Sequence, residues 1–321
     1  MRRREFITAF GSASVFWPTL APAQPKLPKV GYLTPRPLSF DEEFRRGMRE
    51  LGYVDGKNIT MVERFGGGND DNLPALAKEL ADMPVDVIVC INLAGTAAAM
   101  NVTQTIPIVM VTSANPIGAK FIASLARSGN NVTGLSSMAP ETGIKQLELL
   151  KEAVPHAQRV AIIWNPLNPG NVIYLEKVWD AARALGIELK PVEVKYPQDL
   201  QPGLQTVVRL DPHALHVLVD QVTIGHRAEV VKFANGLKCP TMYALREFVV
   251  DGGLMSFGVD FSDLWYRSAS YVDKILKGAK PNDLPVQQPV KFQFVVNLVA
   301  AKGIGLTLPP TLLARADEVI E

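Results

Sequence analysis

The chain has 321 residues, of which 47% are hydrophobic and 20% are charged, and its formal net charge is +1. This balance is typical of a globular protein and excludes a disordered one, and the length favours two lobes over one small core. No block of like charge runs through the chain after its first residues, so the sequence does not indicate a nucleic-acid partner.

The first 23 residues have the features of an export signal. Residues 2–4 are arginines, residues 6–20 are a mostly apolar stretch too short to span a bilayer, and residues 21–23 form an A-x-A cleavage site. The start resembles a twin-arginine signal, and an ordinary secretory signal is the alternative. By either route we expect export to the periplasm and a mature chain that begins at Gln24. No later segment reaches the roughly 18 consecutive apolar residues of a membrane span, so we expect no membrane insertion.

Short β-branched runs alternate with amphipathic helical stretches along the rest of the chain. In the first half the pattern predicts strands at 29–34, 58–64, 85–91, 106–111 and 131–135, with helices at 41–51, 72–83, 96–103 and near 120–127. After a short connection near 136–140 the rhythm restarts. It predicts helices at 141–153, 172–185, 200–210 and 225–237 and strands at 159–164, 188–194, 214–220 and 239–243.

Two such series predict an α/β fold of two doubly wound lobes, each a parallel sheet with helices on both faces. The short connection leaves a cleft between the lobes. In open α/β sheets the ligand binds at the carboxyl ends of the strands. We therefore expect a small ligand in the cleft, enclosed by a hinge motion of the two lobes.

Polar residues that follow strands are the candidate ligand contacts of the first lobe. Gly95 and Thr96 lie where a helix starts, and free N–H groups there favour a carboxylate. The alternative is that Thr96 only caps its helix. Ser113 and Asn115 follow the next strand, with an ordinary turn as the alternative.

The second lobe supplies a similar set. Trp164 and Asn165 end its first strand, with Asn168 just beyond, and Trp164 would form a flat apolar wall or else lie in the core. Asp220 ends another strand and would hold a ligand ammonium or hydroxyl, or else cap the next helix. The other candidates, at strand ends and in the predicted crossing 255–258, are Tyr32, Thr34, Tyr243 and Phe257.

Motifs of catalytic chemistry are absent from the sequence. The four histidines have no metal-ligand spacing, and there is no nucleophile elbow, phosphate-binding loop or C-x-x-C pair. Cys90 and Cys239 lie in apolar runs and are interpreted as core residues, with a disulfide between them as the alternative. We predict no metal, no cofactor and no catalytic residue, and hence no enzymatic activity.

Several stretches resemble one family, the substrate-binding proteins of ABC transporters related to the tryptophan-binding group. The most specific are residues 252–258, 271–289 and 305–320, with 44–53 and 131–134 earlier in the chain. The resemblance implies a type I periplasmic binding fold with three crossings between lobes. Lobe 1 would comprise 24–137 plus 259–285, and lobe 2 would comprise 138–258 plus 286–321. It also implies that the loops carrying the candidate residues line the ligand cleft.

The expected function is therefore that of a periplasmic substrate-binding component of an ABC uptake transporter. The expected ligand is a small carboxylate such as an aromatic or branched amino acid, and the expected partners are the permease subunits, with the protein itself a monomer. A periplasmic sensor for a signalling partner is the first alternative. An exported enzyme is the second, against which the missing catalytic constellation argues.

Overall fold

The structure, a computed structural model, describes residues 27–321, so the predicted signal peptide at 1–23 lies outside the described residues. The strands are β1 Lys29–Thr34, β2 Thr60–Phe65, β3 Val87–Cys90, β4 Ile108–Ser113, β5 Val132–Ser136, β6 Arg159–Trp164, β7 Glu188–Glu193, β8 Ala214–Val217, β9 Thr241–Tyr243, β10 Met255–Val259, β11 Phe292–Asn297 and β12 Glu318–Ile320. The helices are α1 Asp41–Glu50, α2 Leu73–Ala81, α3 Asn92–Val102, α4 Ala139–Ala153, α5 Pro169–Ala184, α6 Leu200–Leu210, α7 Gln221–Gly225, α8 Arg227–Gly236, α9 Arg246–Val250, α10 Phe261–Leu276, α11 Leu298–Ile304 and α12 Pro310–Leu313.

The strands form two separate sheets, which confirms the predicted two-lobed α/β fold. The first sheet has the order β2-β1-β3-β4-β5, and all of its pairings are parallel. The second has the order β12-β11-β10-β9-β8-β6-β7, in which only β10 and β11 pair antiparallel among the described strands. Each sheet therefore presents the carboxyl ends of its central strands, and the loops that follow them, along one edge.

Each sheet is buried on both faces, which explains why its strands are continuous apolar runs. In β3, Val87 and Val89 belong to the core beneath α1 and α10, whereas Ile88 and Cys90 belong to the core beneath α2 and α3. The same period of two divides β6 between a core beneath α4 and α5 and a core beneath α6 and α8. Cys90 and Cys239 are both buried free thiols, as the core interpretation predicts.

The chain crosses between the lobes three times. It leaves the first sheet after β5, returns with α10, which packs on α1, and leaves again before β11. Gln287 still pairs with the first sheet, since it accepts a hydrogen bond from the Ser136 N–H at 2.9 Å and donates one to the Gly134 carbonyl at 3.0 Å. No helix within residues 27–321 is long and apolar enough to cross a membrane.

The predicted helix near residues 120–127 is wrong. This segment is a series of turns, in which the Ala123 N–H donates to the Ser128 carbonyl at 2.8 Å. Lys120 has a φ of 59°, a left-handed conformation that a helix does not accommodate. Phe121 and Ile122 then turn inward and are buried in the core beneath α2 and α3. The apolar residues that suggested a helix are therefore loop residues that contact the core.

Two other boundaries differ from the sequence prediction. Helix α3 begins at Asn92 rather than at residue 96, because the Asn92 side-chain oxygen accepts the Gly95 N–H at 2.8 Å and so starts the helix earlier. The stretch 255–258, predicted to cross between lobes, is strand β10. The crossing follows at Asp260, whose side chain caps α10.

A buried carboxylate anchors the loop between β1 and α1. Asp41 is 3% exposed and accepts hydrogen bonds from the Tyr32 hydroxyl at 2.7 Å, the Trp265 indole N–H at 3.1 Å and the Leu38 N–H at 2.9 Å. The Trp265 N–H also donates to the Tyr32 oxygen at 2.9 Å. This network joins β1, α1 and α10 and so fixes the loop that leads toward the other lobe.

Replacing Asp41 by alanine leaves these buried donors without their acceptor. We expect Asp41→Ala to lower the free energy of unfolding by about 2–4 kcal/mol, measured by urea denaturation. The matched control is Asp82→Ala in the same lobe, whose side chain is 65% exposed and pairs only with Lys78. It should change stability by less than about 0.5 kcal/mol. Equal effects of the two variants would contradict the anchoring role of Asp41.

Candidate ligand-binding site

A cavity of about 130 Å³ lies between the two lobes at the carboxyl ends of their strands. Its walls come from the loops after β1, β3 and β4 in the first lobe, the loops after β8 and β9 in the second, and the starts of α4, α5 and α10. Among the described residues that line it, Asp220 alone carries a formal charge. The remaining lining is apolar or neutral polar, so a single negative charge dominates its electrostatics.

Asp220 is 3% exposed and is held in place by three N–H donors. Its Oδ1 atom accepts from the Asn165 amide at 3.1 Å and from the Val222 N–H at 3.0 Å, and its Oδ2 atom accepts from the Asn168 amide at 3.0 Å. The side chain thus caps α7, the alternative role foreseen from the sequence, and also lines the cavity. Oδ2 takes only one of the three bonds, so it can accept another donor.

Gln221 adds a second acceptor beside this carboxylate. Its side-chain oxygen is buried and has no hydrogen-bond partner within residues 27–321, and the residue lines the same cavity. A buried acceptor without a partner is costly. Asp220 and Gln221 together therefore form an acceptor-rich end of the cavity in the second lobe.

The first lobe presents donors instead. The first four N–H groups of a helix have no partner within the helix. In α3, the Asn92 N–H donates to the Thr112 hydroxyl at 3.3 Å and the Gly95 N–H to the Asn92 side chain at 2.8 Å. The N–H groups of Leu93 and Ala94 have no acceptor in the described part of the chain. Asn92, Leu93 and Thr112 all line the cavity.

Three packed aromatic rings form one wall of the cavity. Phe40 lies 5.7 Å from Phe261 and 5.3 Å from Trp265 between ring centroids, and Phe261 lies 5.7 Å from Trp265. All three line the cavity, and Trp265 is fixed from behind by its bonds to Tyr32 and Asp41. The wall is therefore apolar and preorganised, with its rings edge-on or tilted to one another.

A polar group lies deeper in the second lobe. Gln146 and Tyr174 line the cavity and contact His216, which is fully buried behind them. Burial lowers the pKa of His216 to about 3, so this histidine is neutral. His216 is therefore a structural residue that supports Gln146 and Tyr174 from behind.

A second acidic side chain, Asp70, approaches from the first lobe. Asp70 and Asp220 line an adjoining chamber of about 290 Å³, and the Asn92 amide donates to Asp70 at 3.4 Å. Burial and the Asp220 charge raise the pKa of Asp70 to about 6. The chamber thus brings the two carboxylates Asp70 and Asp220 close together, with Lys195 as the cation in its lining.

Of the twelve residues predicted from the sequence, Asn168 and Asp220 line this cavity. Asn165 bonds to Asp220 from the adjoining chamber. Gly95 and Thr96 lie within the first turns of α3, where the Thr96 hydroxyl donates to the Asn92 carbonyl at 2.9 Å. The other predicted residues do not line the cavity; they are Tyr32, Thr34, Ser113, Asn115, Trp164, Tyr243 and Phe257.

The displaced residues have identifiable positions. Trp164 lies on the outer side of α5 with Trp179, because it shares the strand face of Val160 and Ile162. Tyr243 is stacked on Phe248 in the core, with ring centroids 4.8 Å apart.

The remaining displaced side chains bond locally or pack in the core. The Thr34 hydroxyl donates to the Arg36 carbonyl, and the Asn115 side chain accepts the Gly118 N–H. The Phe257 ring packs on the core beneath α4 and α5.

A register shift in β4 explains the exchange of Ser113 for its neighbours. The pairing with β5 is irregular between Met110 and Ser113, and Thr112 and Ala114 line the cavity in its place. The cavity residues that sequence reasoning missed include Phe40, Gln146, Tyr174, Gln221, Phe261 and Trp265. A signal was present for Phe261 and Trp265, whose i, i+4 spacing puts them on one helix face.

Two parallel α/β lobes joined by three crossings around an enclosed cavity define a binding protein of the type I periplasmic binding fold. The family described as ABC transporter substrate binding protein matches residues 39–320. The chain belongs to this family.

Similar proteins include amino-acid binders. The tyrosine-binding protein of Clostridioides difficile is 25% identical over 264 residues, which cover 82% of this chain and 75% of that protein. The crystal structure of an ABC domain in complex with L-Trp from Streptococcus pneumonia is 25% identical, with a TM-score of 0.85 over 92% of this chain and 100% of that one. A conserved domain protein from Vibrio cholerae is 29% identical, with a TM-score of 0.86 over the same shares.

The raised pKa of Asp70 predicts a pH-dependent stability. An acid whose pKa is higher in the folded state than its ordinary 3.8 destabilises the fold when ionised, and this cost disappears as the pH falls through about 6 toward 4. We expect Asp70→Asn to raise the melting temperature at pH 8 by a few degrees and to have little effect at pH 4. Thermal unfolding across this range measures the difference from wild type.

Asp71→Asn serves as the matched control, because Asp71 is the exposed neighbour of Asp70 and its removal changes the net charge equally. Its melting temperature should follow the wild type more closely at every pH. A difference between Asp70→Asn and wild type that stays constant from pH 4 to pH 8 would contradict the raised pKa.

Proposed function

We propose that this protein is the periplasmic substrate-binding component of an ABC uptake transporter and that its ligand is an α-amino acid with an aromatic side chain. The observation that carries this proposal is the opposition of two unsatisfied polar ends across one cavity. Acceptors of Asp220 and Gln221 face it from the second lobe, and free N–H groups of α3 face it from the first.

The acceptor end suits the ligand ammonium. Asp220 already receives three hydrogen bonds, which stabilise its charge, and it retains an acceptor position. The Gln221 oxygen is a second buried acceptor. An ammonium donates three hydrogen bonds and neutralises the carboxylate, so it satisfies both groups at once.

The donor end suits the ligand carboxylate. Leu93 and Ala94 lie in the first turn of an eleven-residue helix. The positive end of the helix dipole is at this turn and favours an anion. This moves the proposed carboxylate contact from Gly95 and Thr96 to the residues just before them, because the Gly95 N–H is already bonded to Asn92. The Thr112 hydroxyl lies beside the same helix start.

The aromatic wall supports a large aromatic side chain, which extends along it from the α-carbon that carries both charged groups. Phe40, Phe261 and Trp265 are preorganised and contribute no charge. Aromatic rings stack on one another at the centroid distances seen here. Two relatives, a tyrosine-binding protein and an ABC domain in complex with L-Trp, support the same ligand class.

We expect Asp220→Asn to weaken binding of an aromatic amino acid by roughly 30-fold or more, because loss of a buried charge partner costs about 2–5 kcal/mol. Calorimetry with L-tyrosine, L-phenylalanine and L-tryptophan on wild type and variant measures the effect. The matched ligand control is 3-(4-hydroxyphenyl)propanoate, which lacks the amine. Its weaker binding should be nearly the same in both proteins.

An unchanged affinity for the amino acids in Asp220→Asn would remove Asp220 from the ammonium contact. A wild type that binds a neutral sugar and no amino acid in a thermal-shift screen would overturn the ligand class. Uptake of the labelled ligand by cells with and without the gene tests the transport role separately from binding.

A further inference from the structure

The side-chain amide of Gln146 lies in the cavity in a single fixed orientation. Gln146 is fully buried, and its Oε1 atom lies 2.5 Å from the Tyr174 hydroxyl and 3.0 Å from His216 Nε2. Its Nε2 atom donates to the Phe257 carbonyl. The Phe257 carbonyl can only accept, so a flipped amide would place two oxygens against each other there and lose that bond.

The neutral state of His216 supports this assignment. Its Nε2 atom is 3.0 Å from Gln146 Oε1 and 3.2 Å from the Tyr174 oxygen, whereas its Nδ1 atom has no partner among the described residues. The proton consequently lies on Nε2, where it has acceptors. His216 thus acts as a donor that holds the Gln146 oxygen away from the cavity.

One hydrogen of the Gln146 amide remains without an acceptor in residues 27–321. An amide nitrogen has two hydrogens, and the Phe257 carbonyl accepts only one. The second hydrogen has no acceptor in this described range, although Gln146 lines the cavity and is 0% exposed. A buried donor of this kind is expensive when empty and favourable when a ligand oxygen reaches it.

The position of this donor relative to the ammonium site sets which ligand atom meets it. Asn168, at the start of α5, bonds to Asp220, and Tyr174, in the same helix, bonds to Gln146. Six residues of helix separate these two positions by about 9 Å. An extended aromatic amino acid has its amino group and the tip of its ring at opposite ends. With the amino group at Asp220, the far tip of the ring is the part that approaches Gln146.

We infer that Gln146 donates a hydrogen bond to an oxygen at the tip of the ligand's ring and so makes the site selective for a phenolic amino acid over phenylalanine. This inference rests on the proposed function. Phenylalanine would bury the Gln146 donor without an acceptor, and the indole of tryptophan offers a further donor instead. A site built to bond a substrate oxygen rejects the analogue that lacks it more strongly than an apolar pocket would.

The decisive measurement is calorimetry of the wild-type protein with L-tyrosine, L-phenylalanine, L-tryptophan and 4-methyl-L-phenylalanine. The last compound fills the space of the phenol oxygen without accepting a hydrogen bond. We expect tyrosine to bind about 10- to 100-fold more tightly than phenylalanine, and 4-methylphenylalanine to show no such gain. Tight binding of 4-methylphenylalanine at the level of tyrosine would overturn the inference, because size alone would then explain the preference.

The variant Gln146→Glu separates the free donor from the rest of the network. A buried glutamic acid is held neutral by desolvation, so it keeps one oxygen for Tyr174 and His216 and gives its single proton to Phe257. It therefore lacks only the second donor. We expect its preference for tyrosine over phenylalanine to fall to within about 3-fold.

The matched control is Phe40→Leu, which removes part of the aromatic wall and leaves Gln146 unchanged. It should weaken tyrosine and phenylalanine alike and preserve their ratio. Equal wild-type affinities for tyrosine and phenylalanine overturn the inference and leave the proposed function standing. Binding of none of the four compounds overturns both.

Discussion

The ligand cavity is organised around a charge that is buried where the two lobes meet. A carboxylate removed from water is stable only when donors surround it, and Asp220 obtains three of them from Asn165, Asn168 and Val222. One side chain therefore fixes the loop after β6, the start of α5 and the start of α7. Asp70 brings a second carboxylate to the same region, and the resulting repulsion contributes to its raised pKa.

The proximity of Asp70 and Asp220 bears on ligand binding under the proposed function. An ammonium between the lobes lowers the cost of bringing the two carboxylates together, whereas the empty cavity leaves that cost in place. The free N–H groups of Leu93 and Ala94 lie on the opposite lobe, so a zwitterionic ligand gains its full set of bonds only when both lobes contact it. A ligand shifts an equilibrium by its differential affinity for the two states, and a ligand whose ammonium and carboxylate contact different lobes favours the state in which both lobes reach it.

One direct contact between the lobes is independent of the ligand. The Arg36 guanidinium from the first lobe donates to the Gln221 carbonyl at 3.2 Å and lies over Gly225, where an added Cβ would be 2.3 Å from its nitrogen. The glycine thus leaves room for a cation beside the residue that carries the free acceptor. Because Arg36 is tied to the backbone of α7, it holds the rim of the cavity without occupying the acceptor positions inside it.

The sequence predicted the fold well because strands buried on both faces are unmistakable apolar runs. Both β1 and β6 match their predicted bounds, since turn residues flank them. Site residues were harder to predict, because the sequence does not say on which side of a strand end a side chain emerges. Trp164 lies on the outer face of its strand end, and a register shift in β4 replaces Ser113 by its neighbours.

The walls that sequence reasoning missed come from crossing elements and from polar residues inside helices. Phe261 and Trp265 reach the cavity because α10 returns to the first lobe, a long-range contact that no local pattern encodes. Gln146 looks like an ordinary polar position of α4 until Tyr174 and His216 are brought against it.

Two buried polar networks stand behind the cavity, one in each lobe. Asp41 with Tyr32 holds the aromatic wall through Trp265, and His216 with Tyr174 holds the Gln146 amide. Side chains fixed in this way lose little conformational freedom on binding, so the ligand meets groups that already have their bound geometry. Under the proposed function, the hinge motion falls to the three crossings, outside both networks. Selectivity and closure would then depend on different parts of the chain, and a substitution in one network should alter which ligand binds without preventing the lobes from closing.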